Sequence, residues 1–209
     1  FVGSRGLGDV YKRQPLTMEI EMGCDSNGRF TFVKSDIIGD TGAYASVGMK
    51  VLERAAGHAT GAYHVDAVEV RSRAVYTNNI PCGAMRGFGV NQINFAVESC
   101  VDELCEMGGF DRWQIRYDNA LTPGGMTSTG QVLQSGIGIR KTLEAVKDVF
   151  QQSRHAGIAC GIKNTGIGNG VPDTGKVKIV IESPERILIH QGWTETVSYT
   201  HLTLPTIVS

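Results

Sequence analysis

The stretch from Ile80 to Gln92, I-P-C-G-A-M-R-G-F-G-V-N-Q, carries the residues best suited to chemistry. Arg86 offers a planar fork of donors and Phe88 an aromatic face, and both sit among small residues. Gly83, Gly87 and Gly89 let the backbone approach a partner closely or take a positive φ. Pro81 fixes its own φ and pushes Ile80 into extended geometry. An amphipathic pattern begins near Gln92, and a glycine-rich loop that feeds a helix can aim backbone N–H groups at an anion. The plain alternative is a strand-to-helix turn whose arginine is solvated.

The wording A-M-R-G-F-G-V-N-Q resembles the A-F-R-G-F-G-x-x-Q signature of the molybdenum hydroxylases, the xanthine dehydrogenase and aldehyde oxidase family. Upstream, V-L-E-R-A-A-G-H-A-T-G-A-Y resembles that family's segment with a substrate-facing arginine, here Arg54. The spacing from Arg54 to Arg86 is similar to that of purine-oxidising members, with Tyr63 in register. Farther on, G-G-F-D-R-W-Q-I-R-Y-D-N-A-L resembles the selenium-dependent xanthine dehydrogenases. The likeness runs from about Pro15 to Glu195.

What the resemblance implies is hydroxylation of an electron-poor carbon, with water as the oxygen source, on a molybdenum–molybdopterin cofactor. A cytosine dinucleotide form and a sulfido or selenido ligand are both within the family's range. Electrons would leave through iron–sulfur clusters and FAD on partner domains or subunits. Arg86, through its backbone, would lie near the molybdenum ligands, with Gly87, Gly89 and Gln92 contacting the cofactor. Phe88 would pack on the substrate ring, and Arg54 would face charge developing on a purine. A preorganised guanidinium in a dry pocket favours such a transition state. Met85 stands where Phe is frequent, an apolar exchange. Glu53 and Glu98 match no family base, so the catalytic glutamate is expected outside this stretch and the chain is expected to be inactive alone.

Both ends read as foreign to the gene. Asp9 to Gln14, D-V-Y-K-R-Q, can be encoded by GATGTGTATAAGAGACAG, and Val197 to Leu202, V-S-Y-T-H-L, by GTCTCTTATACACATCTG. The strings are reverse complements over most of their length, as translated sequencing adapters would be. Residues 1–14 and 196–209 are therefore set outside the fold. The remaining span holds 17 basic and 20 acidic residues once Arg5, Lys12, Arg13 and Asp9 are set aside. That balance argues against a nucleic-acid partner, and no apolar run approaches a membrane span. Cys24, Cys82, Cys100, Cys105 and Cys160 are odd in number and scattered, which fits reduced thiols in a cytoplasmic protein.

The elements that must position these residues follow from periodicity. Leu16–Gly23 and Arg29–Gly39 read as strands joined by a D-S-N-G turn. Asp40–Tyr44 reads as a loop. Val47 to about Ala59 reads as a helix with Val51, Leu52 and Ala55 on its apolar stripe and Arg54 beside it. Val65–Tyr76 alternates as a half-buried strand with charges on one face. Ile93, Val97, Cys100, Val101 and Leu104 recur at helical spacing over Gln92–Met107, with Gly108 and Gly109 as a stop. Phe110–Leu121 reads as a helix packed by Trp113, Ile115 and Tyr117. Ile139–Phe150 is another, with Leu143, Val146 and Val149 or Phe150 facing a core.

Beyond Ser153 the composition shifts. Ala156–Asn164 reads as strand-like, Thr165–Gly175 is glycine-rich, and Val177–Glu182 and Ile187–His190 alternate as strands. The G-x-G-x-G run from Gly166 to Gly170 lacks a following helix and so is no dinucleotide fingerprint. Gly170 to Lys176 spaces like a phosphate loop, but Val177 stands where Ser or Thr should ligate magnesium. His58, His64, His155 and His190 share no ligand spacing; a capping or packing role suits His58 and His64. The G-W-T-E run at Gly192–Glu195 resembles the start of the family's pterin-contacting loop.

The expected architecture is α+β, with residues 15–152 in a first molybdopterin-binding domain and 153–195 opening a second. The expected function is a fragment of a purine hydroxylase, acting on xanthine or hypoxanthine. The alternatives are a hydroxylase of aldehydes or other N-heterocycles, and a non-catalytic module that binds a small anion.

Overall fold

A computed structural model describes residues 14–164 and 174–192. The chain divides into two compact units, residues 1–163 and 164–209. Strands and helices are mixed throughout, an α+β architecture.

The first unit opens with an antiparallel hairpin, β1 (Leu16–Cys24) and β2 (Phe30–Gly42). Its turn forms because the Asp25 carboxylate accepts from Asn27 N and Arg29 N at 2.8 and 2.9 Å, while Gly28 takes φ +81°. β2 is the central strand and buries Val33, Ser35, Ile37 and Thr41 along one face. β3 (Ala67–Tyr76) lies parallel to it on the other side. Parallel neighbours need a crossover, and α1 (Gly48–Ala56) lies on it. Asp40–Gly42, expected in a loop, instead extends β2, because Asp40 and Gly42 still pair with Val75 and Tyr76.

Two other expectations are corrected. β3 is not half-buried; apart from Val70 it is exposed on both faces, as the unpaired edge of a three-stranded sheet. α1 ends at Ala56 and not near Ala59, because Gly57, His58 and Ala59 pass into turns.

α2 (Val90–Gly108) buries Ile93, Val97 and Val101 against the sheet and ends at Gly109, whose φ of +68° completes a left-handed cap. α3 (Arg112–Asn119) starts where the Asp111 carboxylate accepts from Gln114 N at 2.7 Å. Asn119 then clips this helix to the first hairpin: its Oδ1 accepts from Phe30 N at 2.9 Å and its Nδ2 donates to Gly28 O at 2.8 Å. α4 (Ile139–Gln152) buries Ile139 and Leu143. Of Val146 and Val149 or Phe150, expected to face the core, Val146 and Val149 are exposed, while Phe150 is partly buried and packs against it. Ala156–Asn164 forms no strand; it is an extended cover whose Ile158, Cys160 and Ile162 pack on the same core.

In the second unit, β4 (Val177–Ser183) and β5 (Arg186–Gln191) form an antiparallel hairpin. A strand, not a helix, therefore follows Lys176. The glycine-rich run at 165–173, the G-W-T-E residues after Gly192 and the two end segments lie outside the described residues, except for Gln14. Gln14, set outside the fold on sequence, is 1% exposed, and its side-chain amide has no partner among the described residues.

Candidate functional site

Backbone contacts with no room for side chains hold the arginine loop in place. Where β2 ends, Cys82 N donates to Thr41 O at 3.3 Å and Ala43 N to Asn79 O at 3.1 Å. Gly42, at φ +74°, packs on the Ile80–Pro81 peptide, where a Cβ would overlap Ile80 O. Thus Pro81 opens the loop against the end of the central strand.

At its other end the loop turns left-handed over three consecutive residues. Gly87, Phe88 and Gly89 have φ of +88°, +49° and +91°. Only Phe88 among them pays a Cβ penalty, and a bulky residue in that region marks a constrained site. The turn is closed by Phe88 N donating to Met85 O at 2.8 Å and Val90 N to Gly87 O at 3.0 Å. Gly89 caps α2 and lies directly on α1, where a side chain would strike Val51 O and crowd Ala55 N. Those two residues bracket Arg54. The fold therefore brings the last turn of α1, with Arg54 half-buried, together with the end of the arginine loop, where Phe88 is half-buried and Arg86 exposed.

Gln92, in the first turn of α2, donates from Nε2 to Gln14 O at 3.0 Å, while its Oε1 is buried without a partner. A buried carbonyl acceptor left unsatisfied costs free energy, so this oxygen could accept from a bound donor. A side-chain-free backbone at Gly87 and Gly89, an exposed guanidinium at Arg86 and this spare acceptor suit a ligand that is both anionic and rich in N–H groups. Molybdopterin, with a phosphate and a pterin amide edge, is such a ligand.

Behind the loop, α2 is pinned by a buried polar network that sequence reading missed. Arg116, fully buried, donates from Nε to Glu98 Oε2 and from an η-nitrogen to Asp102 Oδ1, both at 2.8 Å. Tyr63 OH donates to the other oxygen of Glu98 at 2.5 Å. Burial first, then the Glu98 charge, pushes the Tyr63 phenol far up. Burial opposes the Arg116 charge, but Tyr63, Glu98 and Asp102 outweigh it and raise the guanidinium. Glu98 is thus a structural counter-ion, and Glu53 is paired with Lys50 at 2.9 Å. The tell-tale signs were available: Arg116 shares a helical stripe with Trp113 and Asn119, where a solvated arginine is out of place.

His58 sits one turn beyond Arg54, its Nδ1 2.8 Å from Arg54 O, and so caps α1. His64, exposed, pairs with Asp66 at 3.5 Å. Burial first pulls the His58 imidazole below its ordinary range, against the hydrogen bond to Arg54 O, and the charges of Lys163 and Arg54 lower it further.

A molybdopterin cofactor-binding domain family matches residues 9–120, which span the hairpin, α1, β3, the arginine loop, α2 and α3. The nicotinate dehydrogenase large molybdopterin subunit of Eubacterium barkeri is 42% identical over 66% of this chain and 32% of its own length. A probable xanthine dehydrogenase component of Bacillus subtilis is 30% identical over 88% of this chain and 26% of its own. Among solved structures, the aldehyde oxidoreductase of Desulfovibrio gigas superposes with a TM-score of 0.65 at 29% identity, over 68% of this chain and 15% of that one. The chain thus spans about a third or less of each of these relatives. On the match across residues 9–120 and the fold that carries it, the chain belongs to the molybdopterin cofactor-binding domain family.

Proposed function

We propose that this chain is part of the molybdenum-cofactor subunit of a xanthine dehydrogenase-like hydroxylase that oxidises purines. The observation that carries the reading is the seating of Gly89 on α1, which brings Arg54 to the loop of Arg86 and Phe88. When bound, the cofactor supplies the oxidising centre that accepts two electrons, with water as the source of oxygen.

The residues of this chain bind and orient. Gly87 and Gly89 let the loop backbone approach the cofactor, Arg86 offers its backbone beside the metal ligands, and Gln92 Oε1 takes a pterin donor. Phe88 presents its ring to the substrate from a strained backbone that the loop holds in place. Arg54 stabilises negative charge at the edge of the purine distal to the reacting carbon. Glu53 and Glu98 are occupied by Lys50 and Arg116, so the base that takes the proton comes from another part of the whole protein. The wording shared with selenium-dependent xanthine dehydrogenases favours a selenido or sulfido centre and iron–sulfur and flavin partners.

A second reading, oxidation of a different N-heterocycle, is favoured by the 42% identity with a nicotinate dehydrogenase subunit. Turnover of xanthine, hypoxanthine, nicotinate and benzaldehyde by the purified, molybdenum-loaded whole enzyme in isotopically labelled water distinguishes them. Label in uric acid at rates above those for the other two substrates is the expected result. Aldehyde or nicotinate turnover without purine turnover overturns the purine reading.

A further inference from the structure

The core-side cover of the first sheet stops between β2 and β3. Residues paired across neighbouring strands share a face. On that face Val33, Ser35 and Ile37 of β2 are buried, while their partners Val68 and Ser72 are exposed and Val70 is partly covered. Ala74 and Tyr76 continue the strip, and Tyr76 is 70% exposed. None of Val68, Val70, Ser72, Ala74 and Tyr76 carries a charge. The charges of β3 lie on its opposite face, where Arg73 donates to the Asp36 carboxylate at 2.8 Å and Glu69 and Arg71 stand alongside.

The backbone is open on the same strand. Thr77 N donates to Gly42 O at 3.1 Å, and Val75 O accepts from Thr41 Oγ1 at 2.8 Å, so these groups face β2. Alternation along a strand then turns the N–H and C=O groups of Val70, Ser72 and Ala74 to the far side. Among the described residues no strand pairs there. β3 is 10 residues long and holds no proline. An edge of that length is a template for another strand, which natural proteins blunt with charge, proline or a bulge, or cover. Charges on one face leave the core-side strip unprotected, so covering is the remaining device.

We propose that an extended segment of the same whole polypeptide, from the part outside this chain, pairs along β3 as a fourth strand and lays apolar side chains over Val68, Ala74 and Tyr76. The relatives supply the length for it, since the chain spans 32%, 26% and 15% of the three described above. A tethered segment also meets the edge at a higher effective concentration than a second copy does. This goes beyond the purine reading and does not rest on it.

The test is residue-resolved amide exchange on the intact, molybdenum-loaded enzyme. The amides of Val70, Ser72 and Ala74 should exchange more slowly than that of the exposed turn residue Ser26, by on the order of 100-fold or more. Exchange as fast as at Ser26 overturns the proposal. Protection that disappears on dilution to the monomer assigns the edge to a second copy and overturns it as well. Two lysine substitutions read the cover separately from the pairing. Ala74→Lys, on the strip, should lower the thermal midpoint by about 2–4 °C more than Glu69→Lys, on the charged face. Equal shifts for the two variants would show that the strip faces water, against the proposal.

Discussion

Gly89 rests on the carbonyl oxygen of Val51, leaving no space for a side chain between the start of α2 and the middle of α1. This one contact joins two stretches of sequence that would otherwise be independent, the helix with Arg54 and the loop with Arg86 and Phe88. Its φ of +91° adds a second demand for glycine.

Gly89→Ala should therefore fail on both counts. A strained backbone costs about 1–3 kcal/mol, and the overlap with Val51 O forces the helices apart. In the whole enzyme we expect a lower thermal midpoint together with lost molybdenum. Gly109→Ala is the control, since a Cβ there meets nothing within 4 Å although φ is also positive. Equal effects of the two changes on cofactor content would contradict this role for Gly89.

The Glu98–Arg116 pair predicts a different pattern. Arg116→Met leaves a carboxylate buried without its partner, which typically costs about 3–5 kcal/mol. Adding Glu98→Gln to Arg116→Met should recover part of that loss, because it removes the stranded charge. Urea midpoints at an unchanged slope would measure both effects. Additive losses would mean that the two residues do not act as a pair.

His58 gives stability a pH dependence of definite sign. Burial holds its folded-state value below the ordinary 6.5. The unfolded chain therefore binds more protons as the pH falls, so this contribution is complete above the ordinary value and is lost on acidification below it. Between about pH 7 and 5, His58→Gln should flatten the decline of the urea midpoint. Parallel curves for wild type and variant would refute it.

Much of the fold was legible because its signals are local. Asp25 and Gly28 specify a turn, Gly109 a cap, and the apolar spacing from Ile93 to Val101 a buried helix face. What escaped depends on neighbours. The alternation of β3 looks half-buried, yet among the described residues only Val70 of the strand is partly covered. Val146 and Val149 continue the periodicity of Leu143 but stay exposed, while Phe150 beside them keeps the contact with the core. Arg54 and the arginine loop were visible as motifs, but their contact through Gly89 was not, because a glycine carries no sign of what it lies against.

Phe88 separates ligand contact from scaffold. Phe88→Ala keeps the left-handed strain and loses the ring, a contact of roughly 0.5–1.5 kcal/mol beyond area burial, so purine turnover should fall about two- to tenfold. Phe88→Gly should lose the same contact while relieving the φ of +49°, and should melt no lower than Phe88→Ala. Molybdenum content should hold in both. Loss of metal with normal kinetics in the loaded fraction would assign Phe88 to the scaffold instead.

The central claim, that Arg54 serves a purine, is tested most directly by steady-state rates of the whole enzyme with Arg54, Arg54→Met and Arg54→Lys. A purine gathers negative charge on ring nitrogens and carbonyl oxygens as oxygen adds, whereas an aldehyde has no distal edge to stabilise. Arg54→Met should lower kcat for xanthine by on the order of 10²–10³, as loss of one charge-directed donor does. Lysine should rescue only in part, keeping the charge without the planar fork. Benzaldehyde turnover should be spared or improved. Equal losses on xanthine, hypoxanthine and benzaldehyde would contradict the account and make Arg54 a support of the fold or the cofactor.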